Sequence, residues 1–188
     1  KKLYALRDVT ATVPSIPLIV SSILSKKLAE GIDALVLDVK CGSGAFMKTR
    51  DDARQLAQAL DDTGTAMGKK VVALITSMDQ PLGRTVGNAL EIQESLEILS
   101  GKGPEDVKAL TIELASRMLS VAEVLDPGGG VLDPALHLTD GTALATFRKM
   151  VACHGGDLDA GLPEAKNQTP LLSPKAGYVS RADAEAIG

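Results

Sequence analysis

Apolar positions along this chain recur with two different periods, and each period predicts an element. Between residues 15 and 30, Ile16, Ile19, Ile23 and Leu24 fall on one side of a helix, Ser15 caps it, Pro17 sits in its first turn and Gly31 stops it. Ala34-Leu35-Val36-Leu37-Asp38-Val39 is instead a continuous apolar run of strand length, the pattern of a strand covered on both faces. After the loop Lys40-Cys41-Gly42-Ser43-Gly44-Ala45, the residues Ala53, Leu56, Ala57, Leu60 and Met67 return to helical spacing. Gly68 ends that helix, and Lys70 to Thr76 reads as a second strand. Strand, loop, helix, strand is a βαβ unit, which predicts a parallel pair with a right-handed crossover.

Further along, residues 88 to 99 predict a helix ending at Gly101. Pro104, Glu105 and Asp106 open another, with acids at the positive end of its dipole and Val107, Leu110, Leu114, Val121 and Leu125 as its inward stripe, ended by Gly128-Gly129-Gly130. Residues 133 to 152 predict one more helix with Leu136, Leu144, Phe147 and Val151 turned inward. Beyond Gly155 the chain becomes polar and rich in proline, as a linker would, before a strand-like Ala176-Gly177-Tyr178-Val179. Neither internal repeats nor low-complexity tracts interrupt this order. The start lacks Met and a signal-peptide layout, and the end falls inside what looks like a starting helix, so a piece of a longer protein is expected.

Composition narrows the function classes. At 188 residues the chain is long enough to bury a core without a disulfide or structural metal. A net charge of −4, two Tyr, two Phe and no Trp leave neither a basic stripe for phosphates nor aromatic platforms for bases, which excludes a nucleic acid polymer as partner. Lys26, Lys27 and Asp33 break up the first apolar region, so no membrane span is expected. Cys41 and Cys153 match no metal or redox spacing and are read as free thiols of a reduced, cytoplasmic protein.

Candidate chemistry concentrates near the start. Arg7 lies ahead of the first long helix, and Ser22 and Lys26 are four apart on one face of it. This set offers hydrogen-bond donors beside an apolar run, which suits a flat, carbonyl-rich ligand gaining negative charge, such as a pyrimidine base. Gly42-Ser43-Gly44 follows a strand and invites a phosphate-loop reading, but a third glycine would fall at Met47 and no Gly-Lys-Ser or Gly-Lys-Thr follows; a tight turn is the expectation. His137 and His154 have no partner at metal-ligand spacing and are read as structural or surface residues. The pairs Asp51-Asp52 and Asp61-Asp62 are read as solvated helix faces.

The words Tyr4-Ala5-Leu6-Arg7-Asp8, Ser22-Ile23-Leu24-Ser25-Lys26, Asp38-Val39-Lys40, Gly42-Ser43-Gly44-Ala45-Phe46-Met47, Gly87-Asn88-Ala89-Leu90-Glu91 and Ala176-Gly177-Tyr178-Val179 closely resemble those of the thymidine and pyrimidine-nucleoside phosphorylases. The resemblance implies a pentosyltransferase that cleaves a pyrimidine nucleoside with inorganic phosphate as co-substrate, giving free base and ribose or deoxyribose 1-phosphate. Carried over residue by residue, it assigns base binding and leaving-group stabilisation to Arg7 and Lys26, base binding to Ser22, and the pocket walls to Tyr4, Ile19, Ile23 and Phe46. It implies no organic cofactor but a monovalent cation, potassium, held by the carbonyls of Leu82 and Thr85 and the side chain of Glu94. It also implies a homodimer built through a helical lobe, and hinges near Gly31 and residues 83 to 87.

By the same resemblance the fold class is α/β. Residues 1–31 would form part of a small helical lobe carrying the base-binding residues, 32–160 an α/β lobe with a largely parallel sheet flanked by helices, and 161–188 a linker and the start of a further region. Pro14 and Thr85 depart from residues common in the family, and the family's Lys-His-Ser phosphate segment and Gly-rich phosphate loop are expected before residue 1. The isolated chain is therefore expected to hold only the base-binding half of the site and to lack catalysis. Two competing readings stand beside this one: an enzyme of the anthranilate phosphoribosyltransferase type, which uses magnesium, and a catalytically inert structural piece.

Overall fold

The computed structural model describes residues 2–125, 128–130 and 132–188, with the side chains of Leu3 and Tyr4 outside that description. Eight helices and two strands are seen among the described residues: α1 (Lys2–Val9), α2 (Ile16–Ala29), β1 (Ala34–Cys41), α3 (Arg50–Ala66), β2 (Lys70–Ser77), α4 (Asn88–Leu99), α5 (Glu105–Val121), α6 (Leu136–Thr139), α7 (Thr142–Cys153) and α8 (Ala184–Ile187). The class is α/β, as expected. The chain divides into two compact units, one of residues 1–80, 114–132 and 183–187, the other of 81–113, 133–182 and 188.

In the first unit β1 and β2 run parallel, in register from Ala34 opposite Lys70 to Cys41 opposite Ser77. Parallel strands need a long crossover, and α3 supplies it, packing against both strands and against α2. Its apolar stripe of Ala53, Leu56 and Leu60 joins Val20 and Leu24 of α2 with Val39, Cys41 and Met47 in one buried cluster. Thr49 caps α3: its hydroxyl accepts the Asp52 N–H at 3.2 Å and donates to the Asp52 carboxylate at 2.7 Å. Ser15 occupies the cap position of α2 but makes no side-chain cap bond, and Pro17 lies in the first turn, where a missing N–H costs nothing.

The second unit gathers α4, α6, α7 and residues 105–113 of α5, with α7 packed on α4 and α6. The single helix expected over residues 133 to 152 is two. Gly141, at φ 80°, adopts the left-handed backbone that glycine tolerates, while Asp140 accepts the Thr142 N–H at 2.8 Å and so caps α7. Leu136, expected to point inward, lies on the short α6 and is 59% exposed.

Two other expectations are corrected. α5 ends at Val121 rather than at the triple glycine, with Glu123 at φ 56°, and Leu125 is exposed beyond it. Residues 176–179 form no strand, and Tyr178 and Val179 are exposed, because nothing pairs with that segment among the described residues. No described helix is long and apolar enough to cross a membrane. Both cysteines are free thiols, Cys41 buried and Cys153 exposed.

Candidate functional site

The first unit contains a cleft of about 810 Å³ bordered by α1, α2, β1 and the loop after β1. Arg7, Ile19, Ser22, Ile23 and Phe46 all line it, so five of the seven residues expected around a base share one hollow. The sequence reasons for this are local. Ile19, Ser22 and Ile23 are three and four apart on α2, so they share a face; Ile19 and Ile23 also pack against the buried cluster, which fixes that face. Phe46 projects from the loop after β1 and is 67% exposed, an aromatic wall open to the hollow.

Arg7 is held by the turn that follows α1. The chain folds back there, with Thr12 N–H donating to the Arg7 carbonyl at 2.9 Å, and one terminal guanidinium nitrogen of Arg7 donates to the Val13 carbonyl at 2.8 Å. The Arg7 Nε–H is buried and has no hydrogen-bond acceptor among the described residues. A buried donor left unmade costs about 1–3 kcal/mol, so this group is poised for an acceptor on a ligand. Lys26 follows Ser22 by one turn of α2, about 6 Å along the axis, but is exposed and not among the residues lining the cleft. Tyr4 belongs to α1, and its side chain lies outside the described residues.

The glycine-rich turn does not serve phosphate in this fold. The Gly42 N–H donates to the Met47 carbonyl, Ser43 N–H to the Asp79 carboxylate at 3.0 Å, Gly44 N–H to the Met78 carbonyl and Ala45 N–H to the Gly42 carbonyl. Every donor a phosphate would need is spent, and a carboxylate already occupies the position an anion would take. Over the same turn, Lys48 donates to the Ser43 carbonyl at 2.6 Å and pairs with Glu185 of α8 at 3.1 Å.

A polar cluster that the sequence reading passed over lies at the carboxyl-terminal half of the strands. The Lys40 ammonium donates to the Asp38 carboxylate at 2.6 Å and to the Thr76 hydroxyl at 2.9 Å, and that hydroxyl donates to the other carboxylate oxygen of Asp38. Asp38 and Lys40 both line the cleft. The apolar run 34–39 predicts a strand buried on both faces, but the opposite charges of Asp38 and Lys40, two residues apart and hence on one face of the strand, leave that face wet.

In the second unit, Glu94 of α4 is only 8% exposed. One of its oxygens accepts the Arg84 N–H at 2.9 Å, and the other lies against Gly83, whose own N–H donates to Asp106 at 3.1 Å. Leu82 and Thr85 bracket these two residues, and the Thr85 hydroxyl is buried with no hydrogen-bond partner among the described residues. A buried carboxylate, and a buried hydroxyl one residue after the Arg84 N–H that this carboxylate accepts, are oxygen donors of the chemical type hard cations take. Among the described residues no group of three His, Cys, Asp or Glu side chains could hold a metal.

His137 meets the Thr142 hydroxyl at 2.8 Å and Asp140 at 3.5 Å on an exposed surface, where Asp140 serves the α7 cap. Hydrogen bonds from the Thr142 hydroxyl and N–H, aided by the nearby His137, hold the Asp140 carboxyl below its ordinary range. His154 caps the other end of α7 and is exposed. Both histidines are surface residues.

Comparison with known proteins agrees with the motifs. The profile of the glycosyl transferase family, a/b domain, matches residues 1–144. The thymidine phosphorylase of Mycobacterium tuberculosis is 52% identical over 187 residues, covering 100% of this chain and 43% of that protein. The pyrimidine-nucleoside phosphorylase of Geobacillus stearothermophilus is 50% identical over 196 residues, 100% of this chain and 45% of that protein. Its namesake from Staphylococcus aureus is 47% identical over the same coverage. The chain thus spans less than half the length of these relatives.

Proposed function

Since this chain belongs to the thymidine and pyrimidine-nucleoside phosphorylase family, we propose that its cleft holds the base of a pyrimidine nucleoside while phosphate displaces that base from the pentose. The observation that carries this reading is the convergence of Arg7, Ser22, Ile19, Ile23 and Phe46 on one hollow. The base is flat, apolar on its faces and rich in acceptors at its edge. Ile19, Ile23 and Phe46 supply apolar walls, Arg7 supplies edge donors and the Ser22 hydroxyl supplies an acceptor for the N3–H.

The chemistry follows from where charge appears. As the glycosidic bond breaks, the bonding electrons leave with the base and spread onto its carbonyl oxygens, while the sugar becomes cation-like. Donors aimed at those oxygens bind the departing base more tightly than the neutral substrate, which lowers the barrier. Arg7 offers its fixed guanidinium and unused Nε–H; Ser22 orients the N3–H edge; Lys26, one turn along α2, adds a second positive charge as the cleft fills. Phosphate enters as the co-substrate nucleophile. The carbonyls of Leu82 and Thr85 and the carboxylate of Glu94 would hold a potassium ion, whose positive charge would balance the buried Glu94. The assembled enzyme is a homodimer of the cytoplasm, joined through α1 and α2, which expose Leu6, Val9 and Leu18.

Calorimetric titration of the chain with thymine, uracil and anthranilate tests the reading. Thymine or uracil binding that falls about tenfold or more in Arg7→Ala and in Ser22→Ala is expected, since hydrogen bonds of this kind contribute about 1–3 kcal/mol. Anthranilate binding with no pyrimidine binding would replace it with the phosphoribosyltransferase reading. In a gene product that turns over thymidine, Lys26→Ala should slow phosphorolysis by about 10²–10³; a loss of only a few-fold would remove Lys26 from the mechanism.

A further inference from the structure

We propose that Asp38 and Lys40 form a second recognition element of the same cleft, one that binds the hydroxyl groups of the pentose. This rests on the base-binding reading and extends it to the sugar. An ammonium has three donors, and in Lys40 two of them are directed at Asp38 and Thr76, which leaves one N–H. The Asp38 carboxylate accepts one hydrogen bond on each oxygen, from Thr76 and from Lys40, and an ionised carboxylate can accept about four in all. The pair therefore presents a donor and free acceptor sites side by side. A sugar hydroxyl both donates and accepts, so it can engage the two at once.

The rest of the cleft gives the sugar little else to donate to. Arg7, Ser22 and Lys48 bring donors, and among the described residues the carboxylates that line the hollow are Asp38 and Glu185. Glu185 is 69% exposed, in bulk water, where a hydrogen bond to a sugar hydroxyl contributes little. The pair also stands in the carboxyl-terminal half of two parallel strands, where α/β sheets gather their ligands. Its side chains are 22% and 31% exposed, accessible yet drawn out of bulk water, where a hydroxyl bonded to a charged group contributes most. Thr76 stands behind, outside the lining, and fixes the carboxylate plane.

The test compares thymine with thymidine by calorimetry, in the wild-type chain and in Asp38→Asn and Lys40→Met. The expected result is that both variants bind thymine within about twofold of wild type and thymidine about tenfold or more weakly. Equal changes for base and nucleoside, or no change for either, would overturn the proposal. If the wild type binds thymidine but not thymine and the variants lose thymidine, the base assignment falls and the pentose assignment stands; if the wild type binds neither, both fall. Should Asp38→Asn fail to fold by circular dichroism, Lys40→Arg, which keeps the ion pair but changes the donor geometry, reads the same base-to-nucleoside difference.

Discussion

Replacing Gly83 by Ala would test the packing around Glu94. Gly83 sits at φ +77°, and a methyl group there would overlap a carboxylate oxygen of Glu94, stand 2.9 Å from its carboxyl carbon and reach within 3.1 Å of Val107. The left-handed backbone costs an alanine about 1–2 kcal/mol, and forcing an extra carbon into a packed site costs about 1–3 kcal/mol. Glu94 cannot swing aside cheaply, because its other oxygen holds the Arg84 N–H at 2.9 Å and the side chain is buried. The total loss should therefore be roughly 2–5 kcal/mol. Gly141 is the control: it has φ +80° in the same unit and nothing within 4 Å of its added carbon, so Gly141→Ala bears the backbone cost alone. Urea unfolding followed by circular dichroism reads both. If Gly83→Ala loses no more stability than Gly141→Ala, the collision with Glu94 is not real and the crowded carboxylate must be redrawn.

If Glu94 helps to hold a monovalent cation, potassium chloride should raise the melting temperature of the chain relative to tetramethylammonium chloride at equal ionic strength, and Glu94→Gln should abolish the difference. Equal melting in both salts would dismiss the ion. The Glu123 carboxyl is held below its ordinary value of 4.5, chiefly by the hydrogen bond from Lys70 and then by the charge of that ammonium. Its contribution to stability is then present above about pH 4.5 and is lost as the pH falls through the lowered folded value. Glu123→Gln should flatten that acid-side decline, and 1 M salt should shrink the effect because the pair is exposed; an unchanged pH profile in the variant would refute the assignment.

The βαβ unit was readable because its signals are local. β2 is apolar from Val71 to Ile75, β1 is apolar up to Leu37, and the stripe Ala53, Leu56, Leu60 repeats at the helical period between glycines. α1 was not predicted: Lys2–Val9 has only eight residues and no capping signal, and its last turn is steadied by later residues, as when Thr10 N–H donates to the Leu6 carbonyl. The break between α6 and α7 was hidden because Asp140 and Gly141 interrupt an otherwise helical pattern by only two residues. For the site, spacing put Ile19, Ser22 and Ile23 on one face, but not the return of Arg7 over residues 12 and 13. Nor could a linear reading see Asp38, Lys40 and Thr76 together, since their meeting depends on the register that sets Lys40 opposite Thr76.

The first unit is assembled from three separate stretches of chain, and that has a consequence during synthesis. At about 5–20 residues per second, the 137 positions that separate Glu185 from Lys48 take on the order of 10 s to emerge from a ribosome. Throughout that interval β1, β2 and α3 can already have docked, while α8, which ties Lys48 and the Asp79 carbonyl, has yet to be made. The nascent cleft must therefore wait with one side unlatched, which makes this the stage at which chaperone binding would matter most.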